Sequence, residues 1–242
     1  MSLKPAFVIL AAGMGTRLGK PHPKCLTVLD NGETIMARQI RNIRAAFGED
    51  VDIHIVVGFQ VDKIVEVFPK EKYIYNAQYD QTNTSKSLLL ALQHINHKKY
   101  DGIVWINGDV VFDNDLPFYL KNIVNNGQSF VSVDNKNIGE EEVKYTLDAT
   151  GKIDSLSKKV LIADALGEAV GINYVTSKDA LEFSYFLKHV DDQDYFEKGI
   201  EKSIQKKALE WVPFDISSLG LNAVEVDFGA DLENANKTFF PA

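Results

Sequence analysis

The hydrophobic residues of this chain fall into short continuous runs, separated by segments in which they recur at helical spacing. Residues 7–12 (FVILAA) form an uninterrupted apolar run that ends at a glycine. Such a run is typical of a parallel β-strand that is buried on both faces. Similar runs predict further strands at residues 51–59, 73–75 and 102–106. The first half of the chain is therefore expected to build a buried sheet.

Helical spacing marks the segments between these strands. Met36, Ile40 and Ile43 recur along one helix face, and Gly48 follows as a stop signal. Helices are predicted at residues 35–47, 61–68, 85–95 and 116–124. Strands that alternate with helices imply right-handed crossovers and a sheet that is covered on both sides. The predicted fold class is α/β, a three-layer α/β/α arrangement around a Rossmann-like, mostly parallel mixed sheet.

The second half of the chain contains mixed elements. Residues 143–147 and 152–156 flank the turn sequence DATG, which predicts a β-hairpin. Further strands are predicted at residues 169–175, 211–214 and 223–226, and helices at residues 177–190, 195–206 and 232–237. No repeat or proline-rich linker divides the chain, so we predict a single domain over residues 1–242. A ligand is expected in the crevice beyond the carboxyl ends of the parallel strands.

Composition and charge exclude several classes of partner. The chain carries 34 acidic and 26 basic residues, a net charge of −8, which argues against binding to nucleic acid. Its longest apolar run, residues 7–12, is much shorter than the roughly 20 residues that cross a bilayer, so no membrane insertion is expected. A single cysteine, Cys25, cannot form an internal disulfide, which fits a reducing, cytoplasmic location.

A loop rich in glycine and basic residues follows the first strand. Glycines in residues 13–24 (GMGTRLGKPHPK) let the backbone approach an anion closely. Arg17 offers a planar fork and Lys24 a point charge, two complementary ways to bind phosphate oxygens. Two other interpretations stay open at this stage, a dinucleotide-binding loop and a plain turn with solvated charges. The glycine spacing differs from the dinucleotide fingerprint, and no Gly-Lys-Ser/Thr of a P-loop is present.

The segment VILAAGMGTRLGKPHPKCL (residues 8–26) resembles the signature of nucleotidyltransferases that join a nucleoside monophosphate to a phosphorylated sugar or alcohol. This resemblance implies the reaction of an NTP with a phosphorylated acceptor to give the NDP-linked product and pyrophosphate. It also implies that Arg17 and Lys24 bind the triphosphate. The nucleotide contacts that it implies in the same loop are Ala11, Ala12, Gly13, Met14, Gly15 and Thr16. The spacing from Arg17 to Lys24 is shorter than in typical hexose-1-phosphate enzymes.

Two aspartates lie where predicted strands end. Asp109 follows the strand at residues 102–106, and Asp227 ends the strand-like sequence VEVD. By itself, Asp109 is typical of a turn residue after Gly108, and Asp227 is typical of a helix cap. The resemblance implies that both bind Mg²⁺, which prefers carboxylate oxygens, and that Asp109 is catalytic together with Arg17 and Lys24. Asp113–Asn114–Asp115 also matches the DxD pattern of metal-dependent glycosyltransferases, but here we predict that it caps the following helix.

The remaining candidate contacts lie further along the chain. The stretch YNAQYDQTNTSKSLLLA resembles phosphocholine and related cytidylyltransferases, and it implies that Asn76, Asn83 and Ser87 bind the nucleotide near its base and sugar. Asn83 is equally typical of a helix cap. The acceptor contacts implied by the resemblance are Lys158, Glu168 and Gly171, although Lys158 is also compatible with a solvated surface position. The acidic run at residues 140–142 is predicted to be a solvated turn or strand edge.

Together these features favour a Mg²⁺-dependent nucleotidylyltransferase that uses CTP and a phosphorylated small alcohol or phosphonate. Residues 1–135 would form its nucleotide-binding half and residues 136–242 its acceptor-binding half, and the protein would be a monomer or a homodimer. Its product would be a precursor of a cell-surface molecule or a lipid. The alternatives are a sugar-1-phosphate nucleotidylyltransferase that uses UTP, dTTP or GTP, a glycosyltransferase, and a nucleotide-binding module without turnover.

Overall fold

The computed structural model describes residues 4–136 and 138–241. Its strands are β1 (Ala6–Ala11), β2 (Ile53–Val57), β3 (Lys72–Tyr75), β4 (Gly102–Asn107), β5 (Val110–Phe112), β6 (Phe130–Asp134), β7 (Lys144–Leu147), β8 (Ile153–Ser157), β9 (Gly167–Thr176), β10 (Val212–Asp215) and β11 (Ala223–Glu225). Its α-helices are α1 (Ile35–Phe47), α2 (Val61–Val67), α3 (Thr84–His94), α4 (Leu116–Val124), α5 (Ser177–Lys188), α6 (Phe196–Gln205) and α7 (Gly229–Phe239).

One sheet runs through the chain in the order β10-β6-β9-β4-β1-β2-β3. The pairs β1–β2, β1–β4, β2–β3 and β10–β6 are parallel. Strand β9 is antiparallel to both of its neighbours, β4 and β6. The hairpin of β7 and β8 joins the sheet through β9. The predicted α/β class with a mostly parallel mixed sheet is confirmed.

The two faces of the sheet build two separate cores, because successive side chains of a strand point to opposite faces. In β1, Val8 and Leu10 pack in the core that contains α3, α5 and α6. Phe7 and Ile9 pack in the opposite core with α1, α2 and α4. Burial on both faces explains why β1 is a continuous apolar run. The layers are thus helix, sheet and helix, as the sequence predicts.

Two strands, β5 and β6, were not predicted from the sequence. Strand β6 lies between β9 and β10, and its Ser132 is fully buried, so this interior strand lacks a continuous apolar run. Strand β5 has only three residues and pairs with β11 outside the main sheet, with Val110 opposite Glu225. The pairing of β5 with β11 places the segment after Asn107 beside the segment that precedes Asp227. Among the described residues, no helix is long and apolar enough to cross a membrane.

Candidate active site

The glycine-rich loop after β1 is shaped around the side chain of Lys24. Gly15 has a φ of 60°, which is favoured by glycine. A Cβ atom at this position would lie 2.6 Å from Cγ of Lys24. Any larger residue would therefore strain the backbone and displace Lys24. The loop continues through a short 3₁₀ turn at Thr16–Leu18, which carries Arg17.

Backbone hydrogen bonds bring the two predicted metal ligands to the same place. The N–H of Gly108 donates to the carbonyl of Leu10 at 2.9 Å, which fixes the turn before Asp109 against the end of β1. The N–H of Val226 donates to the carbonyl of Asp109 at 3.0 Å. Asp109 and Asp227, 118 positions apart in sequence, are thus neighbours, as the resemblance implies.

The turn that carries Asp227 is held by an acidic residue of the following helix. Asp231, in the first turn of α7, accepts hydrogen bonds from the backbone N–H groups of Asp227 at 3.0 Å and Phe228 at 2.7 Å. This bond pattern stabilises the start of α7. Asp231 therefore fixes the backbone at Asp227 without using the Asp227 side chain, whose carboxylate pairs with Arg17 and Lys24 instead.

Three carboxylates and two cations meet at this point. Carboxylate oxygens of Asp109, Glu225 and Asp227 lie within 4.8 Å of one another. Nζ of Lys24 lies 3.3 Å from Oδ2 of Asp109 and also donates to Oδ1 of Asp227. Arg17 binds the other oxygen of Asp227 at 2.8 Å, and its guanidinium lies over the ring of Phe228, 5.6 Å from the centroid. The three carboxylates outnumber the two cations by one charge.

The pKa values at the cluster reflect this crowding of like charges. Burial and the charge of Asp227 raise the pKa of Asp109, although Lys24 opposes the effect. Burial and repulsion by Asp109 and Asp227 raise the pKa of Glu225 well above its usual value. The Glu225 side chain is exposed to solvent at the cavity, so repulsion by Asp109 and Asp227 is the main cause of its raised pKa. Burial alone would lower the pKa of Lys24, but attraction to Asp109 and Asp227 outweighs it and raises that pKa.

The donor set fits a hard divalent cation. Mg²⁺ binds oxygen ligands, usually one or two carboxylates together with phosphate oxygens and waters. Asp109 and Asp227 offer such oxygens, and Glu225 adds a third carboxylate from the same side of the strand as Asp227. The excess negative charge and the raised pKa values of Asp109 and Glu225 show that added positive charge would relieve repulsion here. These residues could therefore hold a divalent cation.

A cavity of about 230 Å³ opens beside the carboxylates, and we call it the first cavity. Most of the loop residues that the sequence singles out line it. The predicted residues along its wall are Ala11, Gly13, Gly15, Thr16, Arg17, Lys24, Asn83 and Asp109. Ala12 is buried and Met14 is exposed, and neither is part of the wall described for this cavity. The loop thus places its two cations and its glycine backbone around one space.

The three polar residues of the segment before and within α3 have different surroundings. Asn76 and Ser87 are buried, and Nδ2 of Asn76 donates to Oγ of Ser87 at 3.1 Å. This pair connects the end of β3 to α3, which is a structural role. Asn83 lines the first cavity and also caps α3, because its Oδ1 accepts from the N–H of Thr84 at 2.8 Å. The cap interpretation of Asn83 is confirmed, and its contact with a nucleotide stays a prediction.

A second cavity, of about 380 Å³, adjoins the first and shares five lining residues with it, Arg17, Thr84, Asn107, Tyr195 and Glu225. Lys158 and Gly171, two of the predicted acceptor contacts, line its wall. Lys158 is exposed, as its solvated alternative predicts, and its ammonium also lies 5.3 Å from the centre of the Tyr195 ring, a cation–π contact. Gly171 has a φ of 71°, and a Cβ atom at this position would lie 2.8 Å from Nδ2 of Asn107, so both features favour glycine there.

Glu168, the third predicted acceptor contact, has a different position. Its carboxylate accepts from the N–H of Gly139 at 2.8 Å, and it faces a neighbouring cavity rather than the second one. Lys144, which is buried, donates to the carbonyls of Glu140 at 2.8 Å and Glu142 at 3.0 Å. The acidic run at residues 140–142 is therefore anchored by its backbone. The run is exposed, as predicted, and Glu141 and Glu142 also line the second cavity.

The aspartate pattern at residues 113–115 serves the fold. The carboxylate of Asp113 accepts hydrogen bonds from the backbone N–H of Asn222 at 2.7 Å and from its Nδ2 at 3.0 Å. Asp115 occupies the N-cap position of α4, but its side chain makes no capping hydrogen bond. The prediction that this pattern caps the helix is therefore wrong in its detail. Asp113 instead joins the end of β5 to the start of β11.

Sequence reasoning missed several residues of the site. Glu225 lies two positions before Asp227, and the two-residue period of a strand would have placed both carboxylates on one side. Glu197, on α6, lines the second cavity beside Tyr195. No local pattern distinguishes Glu197 from an ordinary helix-surface glutamate. Gln39 of α1 is buried and contacts the turn that carries Asp109, a long-range contact without a sequence motif.

Glu197 gives a testable dependence of stability on pH. Burial raises the pKa of the Glu197 carboxyl to about 7. Repulsion by Glu142 adds to this increase, and attraction to Lys158 opposes it. In the unfolded chain a glutamate titrates near ~4.3, so between these pH values only the unfolded chain releases the proton. The free energy of unfolding therefore falls as the pH rises through this window. We expect Glu197→Gln to raise the melting temperature at pH 8 and to change it little at pH 4.

The measurement is a series of thermal melts of wild type and variant from pH 4 to pH 8. Glu182→Gln, which replaces an exposed glutamate of α5, serves as the control. An equal difference between Glu197→Gln and wild type at both ends of the series would contradict the assigned environment of Glu197.

The fold and the site define an α/β protein with a nucleotidyltransferase architecture, in which a glycine-rich loop and strand-end carboxylates share one cavity. The chain belongs to the family of the MobA-like NTP transferase domain, whose family model matches residues 7–161. The match covers β1, the glycine-rich loop and Asp109, whereas Glu197, Glu225 and Asp227 lie beyond it.

Curated relatives and solved structures agree with this assignment. The chain is 34% identical over 143 residues to the bifunctional protein GlmU of Methanococcus vannielii, which is 57% of this chain and 32% of that relative. It is 29% identical over 124 residues to GlmU of Aquifex aeolicus, 51% of this chain and 25% of the relative. The chain thus spans about a third or less of the length of these relatives.

Two solved structures share the fold over nearly the whole chain. The CTP:phosphocholine cytidylyltransferase of Streptococcus pneumoniae has a TM-score of 0.69 and 18% identity, and the match covers 98% of this chain and 99% of that one. The inositol-1-phosphate CTP transferase of T. maritima has a TM-score of 0.73 and 16% identity, with 97% of each chain covered. At such low identity these likenesses establish the fold.

Proposed function

We propose that this protein is a Mg²⁺-dependent nucleotidylyltransferase that transfers a nucleotidyl group, from CTP in our leading hypothesis, to a phosphorylated small alcohol or a phosphonate. The observation that carries the proposal is the single cluster formed by Arg17 and Lys24 of the loop with the carboxylates of Asp109 and Asp227. Residues 1–135 would supply the nucleotide half and residues 136–242 the acceptor half. The buried Cys25 fits a cytoplasmic enzyme without structural disulfides.

The proposed reaction needs positioning and charge neutralisation more than proton transfer. An oxygen of the acceptor phosphate attacks the α-phosphorus of the NTP, and the bond from that phosphorus to the bridging oxygen of the β-phosphate breaks, releasing pyrophosphate. A phosphomonoester has a second pKa near ~6 and is mostly dianionic at neutral pH, so no general base is required. Arg17 and Lys24 would bind the oxygens of the leaving pyrophosphate and stabilise its developing charge.

The two cavities suggest how the substrates would be arranged. The first cavity has the glycine loop, Arg17 and Lys24 along its wall, which suits a triphosphate. The second cavity begins at the shared residues, which include Arg17, Tyr195 and Glu225, and this suits an acceptor whose phosphate lies at the junction. Bound Mg²⁺ would lower the negative charge of the phosphate groups at that junction. Asp109 and Asp227 would hold the ion, and Tyr195 would contact both substrates.

The charges of the second cavity favour one kind of acceptor. Its wall contains six acidic and two basic side chains among the described residues. The acidic ones are Glu141, Glu142, Glu197, Glu225, Asp227 and Asp231. The hydroxyl groups of a hexose could donate hydrogen bonds to these carboxylates, but an acceptor with a positively charged amine also gains charge attraction at the end away from its phosphate. This lining supports an amino-alcohol phosphate or aminophosphonate over the alternative of a hexose 1-phosphate.

A matrix of the four ribonucleoside triphosphates and dTTP against candidate acceptors tests the proposal by pyrophosphate release. The acceptors are phosphoethanolamine, phosphocholine, 2-aminoethylphosphonate, glycerol phosphate, inositol phosphate and glucose 1-phosphate. We expect the highest kcat/KM with CTP and an acceptor that carries a cation. A preference for a hexose 1-phosphate with UTP, dTTP or GTP would support the alternative enzyme, and no pyrophosphate with any pair would contradict the proposal.

A further inference from the structure

One side chain of α1, that of Gln39, forms hydrogen bonds to the turn that carries Asp109. Gln39 is 1% exposed, and its Nε2 donates to the carbonyl of Asn107 at 2.9 Å and to that of Val110 at 2.8 Å. These two carbonyls stand on either side of Asp109 in the chain. A single amide group therefore spans the segment between the end of β4 and the start of β5.

The same turn has few other anchors. The N–H of Gly108 donates to Leu10 and the carbonyl of Asp109 accepts from Val226, which tie the turn to β1 and to the strand of Glu225. Without Gln39, the carbonyls of Asn107 and Val110 would lose the partner that closes the turn from the helix side. Buried carbonyls without a partner are unfavourable, so the turn would relax toward other donors.

The hydrogen bonds of the Gln39 side chain are all made by its donor group. Its Oε1 is buried and has no hydrogen-bond partner among the described residues. A buried amide that leaves its acceptor unpaired is costly, so the position depends on the two hydrogens of Nε2. The side chain does not line the first or the second cavity and so is remote from substrate. Among the described residues, the hydrogen bonds of its side chain go to the backbone on either side of Asp109.

The neighbouring Arg38 extends the same support. Its Nε and Nη2 donate to the carbonyl of Phe112 at 3.3 and 3.2 Å. Its guanidinium lies 5.2 Å and 5.1 Å from the ring centres of Phe239 and Phe240, at the end of α7. Helix α1 thus contacts both the turn of Asp109 and the helix that follows Asp227.

We propose that Gln39 is a positioning residue that fixes the Asp109 carboxylate for divalent-cation binding, by bridging the carbonyls on either side of it. The inference rests on the proposed function for the metal's role in turnover, but cation affinity tests it independently of any acceptor. Residues that orient metal ligands from behind typically change affinity about 10- to 100-fold when removed. Gln39→Met keeps the size and removes both donors.

The experiment measures Mn²⁺ affinity by electron paramagnetic resonance, together with kcat, KM and the melting temperature. We expect Gln39→Met to weaken Mn²⁺ binding about 10-fold or more and to lower kcat with little change in the KM for NTP. Asn42→Leu is the matched control, because Asn42 is equally buried on α1 and its Oδ1 bonds only to Arg41. It removes the buried, unpaired Nδ2 of Asn42 and should keep Mn²⁺ affinity within about twofold.

Gln39→Glu provides a second variant of nearly identical size. A buried carboxylic acid has at most one donor hydrogen and cannot bridge both carbonyls, so this variant should also weaken Mn²⁺ binding, and it serves where Gln39→Met does not fold. Wild-type Mn²⁺ affinity in either folded variant would overturn the role of Gln39. If wild type binds Mn²⁺ and the variants do not, yet no acceptor yields pyrophosphate, the inference stands while the proposed function fails. Absence of Mn²⁺ binding in wild type would overturn the metal site and the inference together.

Discussion

Replacing Asp109 with asparagine is expected to lower kcat about 1,000-fold while leaving the protein folded, because the amide keeps the shape but removes a charge that holds the cation. The pKa of Asp109 is raised by burial and by Asp227, so its ionised form is disfavoured in the folded protein. The neutral amide of the variant would lack that repulsion, and Lys24 would keep Asp227 as a partner. The melting temperature should therefore stay at or above the wild-type value.

Asp113→Asn is the matched control for this prediction. Asp113 lies four positions further on, and its carboxylate binds Asn222 rather than the cluster. Its replacement should lower the melting temperature and preserve kcat within a few fold. The measurement is steady-state pyrophosphate release together with thermal melts of both variants. Wild-type kcat in Asp109→Asn would remove Asp109 from the metal site, and a loss of kcat confined to Asp113→Asn would indicate that the other pattern is functional.

Lys24→Met is expected to lower kcat/KM for the NTP about 100-fold, because it removes a charged donor from the triphosphate-binding loop. Its effect on stability should be opposite to that of Asp109→Asn. The Lys24 side chain is 12% exposed and binds both Asp109 and Asp227. Without it, three carboxylates face Arg17 alone, so the melting temperature in EDTA should fall.

Divalent cations should then reverse that loss of stability. Because a ligand that binds only the folded state stabilises it, Mg²⁺ should raise the melting temperature of Lys24→Met more than that of wild type. Lys20→Met, at an exposed position of the same loop, should match wild type in both kcat/KM and the response to Mg²⁺. Equal melting temperatures of Lys24→Met and wild type in EDTA would show that Lys24 does not compensate the carboxylates.

The parts of the site that lie at strand ends could be predicted from the sequence. Continuous apolar runs locate β1 and β4, and the carboxyl ends of parallel strands meet at one edge, so the loop after β1 and Asp109 had to be neighbours. The position of Asp227 required the resemblance as well, because β11 pairs only with the unpredicted β5. The direct ion pairs of Lys24 with two aspartates depend on this tertiary arrangement and have no local signal.

The lining of the second cavity was harder to predict from the sequence, for a physical reason. Its acidic wall at residues 140–142 is an ordinary solvated run by composition, and only the buried Lys144 and the carboxylate of Glu168 show that its backbone is fixed. Gln39 contacts carbonyls 68 and 71 positions away, and such backbone acceptors are the same for every residue type. Long-range contacts to backbone leave no pattern along the chain.

The most direct test of the central claim is ³¹P nuclear magnetic resonance of the protein with CTP, Mg²⁺ and phosphoethanolamine. The account predicts that the phosphomonoester signal is replaced by the paired signals of a diphosphate bridge, with one pyrophosphate for each bridge formed, and that Asp109→Asn produces neither. Intact CTP, or its hydrolysis to free phosphate without a diphosphate-linked product, across every NTP and acceptor of the matrix would contradict the account.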